Sequence, residues 1–217
     1  MVKFTIDRVT RMLIGAGPNR SERKKAEILT AARGIFLREG YSAAGMETVA
    51  RVASVSTATL YAYYPSKAKL FEVVVHDIVQ RMAGPVRDSI AAPGDARTRL
   101  TALALAYATF MTQPETRAIF RMVTSERRRF EAVADHFQDA ARQELGGSAI
   151  DLIQALTRSG DLKVDHPASA AGQLLGMLDH PTLVLGLAAG DEAEPARPLK
   201  DICADAVETF LARYGVR

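Results

Sequence analysis

The stretch that most limits what this chain can fold into is residues 46–70, METVARVASVSTATLYAYYPSKAKL. Met46, Val49, Ala50 and Ala53 recur at helical spacing, so 46–53 reads as a short helix with one buried face. Ser54-Val55-Ser56 breaks that pattern with two hydroxyl side chains able to accept from nearby backbone N–H groups. Apolar Val55, in the middle of the turn, suits the angle between two helices. Residues 57–63 then point Leu60 inward and leave Thr57, Ala58, Thr59, Tyr61 and Tyr63 mostly outward. A short helix carrying hydroxyls and two tyrosines can enter a major groove and also touch phosphates. Pro65-Ser66-Lys67 stops it and caps the next helix.

This run resembles the helix-turn-helix of the TetR family of one-component regulators, whose usual form is close to IA..AGVS.GTLY.YF..K..L. The residues that carry the likeness are Val49-Ala50, Ala53-Ser54-Val55-Ser56, Ala58-Thr59-Leu60-Tyr61, Tyr63-Tyr64, Lys67 and Leu70. Upstream, Ile28-Leu29-Thr30-Ala31-Ala32, Phe36 and Gly40-Tyr41 match the family's first helix and its exit. The resemblance covers roughly residues 20–70. It departs from the pattern at Ser54, where the turn glycine stands, at Ala58, where a second glycine stands, and at Ala44-Gly45, the place of a Thr/Ser pair. A Cβ at Ser54 makes left-handed backbone less comfortable. Losing the Thr/Ser pair leaves Ser42 or bare backbone N–H groups to open the second helix and meet a phosphate.

The resemblance implies an all-α protein with a helix-turn-helix DNA-binding head at 19–66 and a helical ligand-binding and dimerisation body at 67–217, preceded by a flexible extension, 1–18, ending in Gly15-Ala16-Gly17-Pro18. It implies DNA contacts from Ser56, Thr57, Ala58, Thr59, Tyr61, Tyr63 and Lys67, with Arg20, Arg23 and Lys24 from the basic cluster RSERKK. Thr57 and Ala58 would meet base edges, whereas Tyr61, Tyr63 and Lys67 would hold phosphates. Tyr64 would pack in a slot usually held by phenylalanine. No Arg, Asn or Gln lies within 56–64, so readout would rest on hydroxyls, methyl contacts and shape, with Arg51 as either a base reader or a solvated residue.

Charge and composition agree. Residues 1–70 hold 12 Lys/Arg against 5 Asp/Glu, whereas 71–217 hold 16 against 20, a division that gives only the first third a polyanion to meet. Modest glycine and proline beside recurrent Ala, Leu, Arg and Glu favour helix. The single cysteine, Cys203, excludes an internal disulfide, lies on an apolar helical stripe and fits a reducing cytoplasm. No stretch is long and apolar enough to span a bilayer. There is no Gly-x-Ser-x-Gly elbow, Walker loop, dinucleotide glycine fingerprint or Cys-x-x-Cys. His76, His136, His166 and His180 are dispersed without a pair at i,i+4. Neither catalysis, nor a cofactor, nor a bound metal is expected.

Beyond the head, Asn19 or Ser21 can cap a first helix that stops at Gly40, and a fourth helix from Ser66 buries Leu70, Phe71, Val74, Ile78 and Met82 until Gly84-Pro85 ends or kinks it. Further helices are expected at about 95–112, 114–129, 131–158, 167–189 and 196–213, with Gly146-Gly147 able to split the third. The helix at 167–189 is apolar nearly all round and must be covered on more than one side. With the last helix it forms either the monomer's own core or a subunit interface, for which Leu174, Leu178, Leu185, Ile202, Ala206 and Phe210 are the candidates. Tyr107, Phe110, Met111, Phe120, Met122, Val123, Phe137, Met177 and His180 are candidates to line an effector cavity, or simple core. Asp179-His180-Pro181 marks an irregular place in an otherwise apolar helix, because proline frees a carbonyl near Met177. Residues 120–137 are similar to the body of AefR-like members of the family.

The expected function is a cytoplasmic homodimeric transcriptional regulator that binds double-stranded DNA at a pseudo-palindromic operator. The resemblance implies a repressor released by a small, hydrophobic effector. Two rivals stay open: a ligand-independent DNA binder, and a helical small-molecule-binding protein with a vestigial head.

Overall fold

The first helix opens on a capping box: the Asn19 side chain accepts from the Glu22 N–H at 2.9 Å, and the Glu22 carboxylate accepts from the Asn19 N–H at 2.9 Å. Two donors that every helix start leaves orphaned are thereby met. The structure, a computed structural model, describes residues 19–128 and 130–216. The expected extension at 1–18 lies outside the described residues, as do the side chains of Met82, Val133 and His136.

Helix α1 (Arg20–Ala43) buries Ile28, Ala31, Ala32, Ile35 and Phe36, and Gly40, at φ 76°, breaks its helical backbone one residue before Tyr41. Helices α2 (Met46–Val52) and α3 (Thr57–Tyr63) follow, then α4 (Lys67–Ser89), α5 (Ala96–Thr112) and α6 (Pro114–Glu126). Helix α7 (Glu131–Ala141) continues through a π-helical turn, Arg142–Gly146, into α8 (Gly147–Arg158). In the same way α9 (Pro167–Asp179) continues through a π-helical turn, His180–Val184, into α10 (Leu185–Ala189), and α11 (Leu199–Tyr214) closes the chain. Serine and aspartate caps at Ser56, Ser66 and Asp95 set the starts of α3, α4 and α5. The fold is all-α.

One detail differs from expectation, and two expected continuous helices carry a widened turn. Helix α4 runs through Gly84-Pro85 to Ser89, because Pro85 faces solvent while Ala83 and Val86 are fully buried in the body core. Gly146-Gly147 does not split the long helix; a widened turn absorbs the glycines there. At Pro181, which lacks an N–H, the widened turn accommodates the proline without ending the helix, and the Thr182 hydroxyl donates back to the Leu178 carbonyl at 2.7 Å.

Two hydrophobic cores organise the molecule. One joins α1, α2, Leu60 of α3 and the first half of α4 (Leu70 to Val79) to Ile119, Met122 and Val123 of α6 and to Ala134, Phe137 and Ala140 of α7. The other joins the end of α4 to α5, α8, α9 and α11. Phe120 packs against both. The boundary between them therefore runs across α4 and α6.

Candidate nucleic-acid interface

The second helix of the helix-turn-helix is held from both ends. Ser56 Oγ accepts from the Thr59 N–H at 3.0 Å and lies 2.8 Å from the Thr59 hydroxyl, so Thr59 closes the cap of α3. At the other end Leu60 and Tyr64 are buried, and desolvation pushes the Tyr64 phenol above its ordinary range. What remains outward is Thr57, Ala58, Tyr61, which is 47% exposed, and Ala62. Tyr64 occupies the core slot expected of it.

Tyr63 turns sideways toward α1. Its hydroxyl donates to Ser21 Oγ at 3.2 Å, and Lys25 Nζ lies 5.9 Å from its ring centroid. The contact lays the start of α1, with exposed Arg20, Arg23 and Lys25 and half-buried Lys24, beside α3. Arg23 reaches Glu27 only at 3.6 Å on an open surface, a pair worth little. The contact between α1 and α3 is thus made by Tyr63 with Ser21 and Lys25, at which only their place in a basic run had hinted, while Arg23 lines a groove with Val52, Ala53 and Ser54.

Lys67 sits differently. Its ammonium donates to the Ser42 carbonyl at 3.0 Å and lies 4.7 Å over the ring of Tyr41. The Ser42 hydroxyl does not open α2; it donates to Glu126 Oε1 at 2.5 Å, at the end of α6. Helix α2 therefore starts at Gly45 with no side-chain cap. In the turn between α2 and α3, Ser54 takes φ 54°.

The nine effector candidates are not brought into one cavity. Tyr107, Phe110 and Met111 belong to the body core, Met122, Val123 and Phe137 to the head core, and Phe120 meets Phe137 edge-on at 5.0 Å between the two. His180 is exposed, which corrects the expectation that it faces inward. The polar group that α9 turns inward is its half-buried neighbour Asp179, whose carboxylate accepts from the Tyr107 hydroxyl at 2.7 Å. Burial holds Asp179 above the usual carboxylate range, and burial together with the Asp179 charge holds the Tyr107 phenol far above its own. Phe110 alone among the candidates lines a groove of about 430 Å³, shared with Pro85, Leu105, Ala106, Thr109 and Gln113. Met177 lines another, of about 260 Å³, on the face of α9 and α11.

The interface candidates also divide. Leu174, Leu178, Ile202, Ala206 and Phe210 are buried in the chain's own core, because α9 and α11 pack on α5 before any partner is considered. Leu185 is 48% exposed, and Val184 and Leu187 beside it are exposed as well. Of the expected residues only Leu185 belongs to the open apolar surface.

Behind that surface stands a residue that sequence reasoning passed over. Arg117 of α6 is fully buried, and its guanidinium donates to the carbonyls of Thr182 at 3.1 Å, Gly190 at 3.3 Å, Asp191 at 2.8 Å and Ala193. Arg121, one turn on, pairs with the Asp191 carboxylate through both terminal nitrogens. Together they clamp the segment between α10 and α11. Buried Cys203 has its thiol pushed up to about 11 by desolvation. Among the described residues no group of three or more His, Cys, Asp or Glu side chains is placed to hold a metal, and no helix is long and apolar enough to cross a membrane.

Residues 28–74 match the family described as bacterial regulatory proteins of the tetR family, and residues 98–216, more than half of the chain, match the C-terminal domain of AefR-like transcriptional repressors. The HTH-type transcriptional activator FasR of Mycolicibacterium smegmatis is 33% identical over 90 residues, covering 42% of this chain and 41% of FasR. The HTH-type transcriptional regulator LuxR of Vibrio harveyi is 28% identical over 68 residues, covering 31% of this chain and 33% of LuxR. The aligned chain thus spans less than half the length of either relative. Among solved structures, a TetR-family transcriptional regulator of Mesorhizobium loti superposes with a TM-score of 0.86 at 25% identity, over 91% of this chain and 100% of that one. The flavonoid-responsive regulator FrrA does so with a TM-score of 0.73 at 25% identity, over 90% of this chain and 98% of that one.

Proposed function

This chain belongs to the TetR family of transcriptional regulators, DNA-binding proteins and not enzymes, and we propose that it acts as a homodimeric repressor released from a pseudo-palindromic operator by a small hydrophobic ligand. The observation that carries the reading is the contact of capped α3 with the basic start of α1, where Tyr63 meets Ser21 and Lys25 beside the outward Thr57, Ala58 and Tyr61. Thr57 and Ala58 offer a methyl, a hydroxyl and a Cβ to base edges, while Tyr61 and the arm cations meet phosphates. Two such heads on a two-fold axis demand two half-sites. The exposed Val184, Leu185 and Leu187 supply the apolar surface through which a second copy docks.

A hydrophobic ligand suits the groove at Pro85 and Phe110, whose lining carries no charged side chain. Repression is supported by the AefR-like repressor domain matched over 98–216. The likeness to the activator FasR favours activation as a second reading. Release follows from population shift: a ligand that binds better to a body conformation with displaced heads lowers DNA affinity by its differential affinity for that state.

The test is a duplex selected from a random pool by the protein, then binding and transcription assays with a panel of hydrophobic compounds that includes flavonoids, the class FrrA's name suggests. Release by one compound, with transcription rising, supports the repressor. Transcription that needs the protein supports the activator. Tight binding indifferent to every compound favours a ligand-independent binder.

A further inference from the structure

We propose that Arg117 is a positioning residue for subunit association: its guanidinium fixes the 182–193 segment so that Val184, Leu185 and Leu187 stand out as one docking surface for a second copy of this chain. This rests on the homodimer reading and adds to it a residue fully buried inside its own subunit. All four carbonyls that Arg117 meets, those of Thr182, Gly190, Asp191 and Ala193, belong to that one segment. They bracket the three exposed apolar residues. Between the two ends Gly186 is buried, and a Cβ there would stand 2.3 Å from the guanidinium carbon. The guanidinium therefore lies against the back of the surface.

The segment has little else to fix it. Neither the widened turn at His180–Val184 nor α10 has a side-chain cap at its start, and Gly190, at φ 117°, ends the helix. Backbone carbonyls turned inward need donors, and a planar cation with donors in two directions serves both ends of the segment at once. Arg121 pairs with the Asp191 carboxylate from one turn further along, so α6 holds the segment twice. Beside Leu185 lies a groove of about 260 Å³, floored by Met177 and Ile202 and reaching Pro181 on one side and Ala196 on the other. Knob and groove on one patch suit an isologous contact, because on a two-fold axis each copy offers both. Arg197 and Asp205 of the same groove pair with each other at 2.8 Å, which favours an apolar partner surface over a charged one.

Arg117→Met keeps an unbranched side chain and removes every donor. Its dimer dissociation constant, read by sedimentation equilibrium, is expected to rise about tenfold or more over wild type, because the surface is no longer preorganised. Amide exchange, measured well above both dissociation constants, is expected to quicken at 182–193 and to stay unchanged in α1, α2 and α3. Arg117→Lys, which keeps the charge without the planar fork, is expected to fall between the two. Gly186→Ala decides the matter even if Arg117→Met does not fold. Its methyl points at the guanidinium and away from the partner, yet it is expected to weaken the dimer as well. Where both changes fold, the double variant loses less than the sum of the two, since both act through one guanidinium. Wild-type dissociation constants in Arg117→Met or Gly186→Ala, strict additivity, or exchange that quickens evenly along the whole chain overturns the proposal. A wild-type chain that stays monomeric at every concentration refutes the homodimer reading and this proposal with it, whereas a wild-type dimer indifferent to both changes refutes the proposal alone.

Discussion

Ser54 and Asp179 each hold a conformation or a charge that their own chemistry disfavours. Ser54 takes φ 54° in the turn between α2 and α3, where an L side chain crowds the backbone and glycine does not. Ser54→Gly is expected to stabilise the protein by about 0.5–1 kcal/mol, read as a higher denaturant midpoint with unchanged slope. The Asp179 carboxyl is raised by burial, and the Tyr107 hydrogen bond only partly offsets it. A raised folded-state value means that its contribution is complete below the ordinary aspartate range and is lost as pH rises through the folded value. Asp179→Asn keeps an acceptor for Tyr107 without the charge. It is therefore expected to melt above wild type at neutral pH, with the gap closing as the medium is acidified, and a gap independent of pH would refute the burial argument. At this scale, legibility followed distance along the chain. The caps at Ser56 and Ser66 and the awkward turn at Ser54 read off directly, because each bonds or strains within three residues. The partners of Ser42 and Lys67 did not, because Glu126 lies 84 residues away from Ser42 and Ser42 25 residues away from Lys67.

Elements were legible where prolines and glycines mark the ends of helices and misleading where a proline stands inside one. Start and stop signals placed α5, α6, α9 and α11 within a few residues of where they stand. Pro85 misled because a helix tolerates a proline whose neighbours are anchored in a core, whereas Gly146-Gly147, able to split the helix expected at 131–158, leaves it continuous because a π-turn absorbs them. Nothing in the pattern announces that α6 is fastened through Arg117 to the carbonyls of the α10–α11 segment. The fastening depends on Gly186: a Cβ there would stand 2.3 Å from the Arg117 guanidinium carbon. Gly186→Ala is expected to destabilise the protein by about 1–3 kcal/mol, measured by denaturant unfolding, even though alanine is the better helix former. A neutral result would mean that the guanidinium relocates and that the clamp is dispensable.

The charge division along the chain, basic before residue 70 and acidic after, becomes a spatial one once the arm lies against α3. The apolar division does not transfer so simply. Leu174, Ile202 and Phe210 were candidates for a partner's surface and lie in the chain's own core, while Val184, Leu185 and Leu187 stay open. Leu185→Asp is accordingly expected to leave the monomer folded and to shift it from dimer to monomer by sedimentation, because the change enters a two-fold interface twice. Operator affinity should fall with it, since one head binds one half-site. A Leu185→Asp protein that sediments as a dimer would place the interface elsewhere.

The sequence by itself determined the all-α architecture, the helix-turn-helix and its polyanion partner, because helical periodicity, caps and charge are properties of neighbours along the chain. Only the tertiary structure decided which apolar faces were spent on the chain's own core, that His180 turns outward while Asp179 turns in, and that Lys67 already holds Ser42 and Tyr41. The reason is the same in each case. A side chain's partner is chosen by packing between segments distant in sequence, where several apolar faces and several carbonyls compete for the same group, and local pattern carries no record of which one wins.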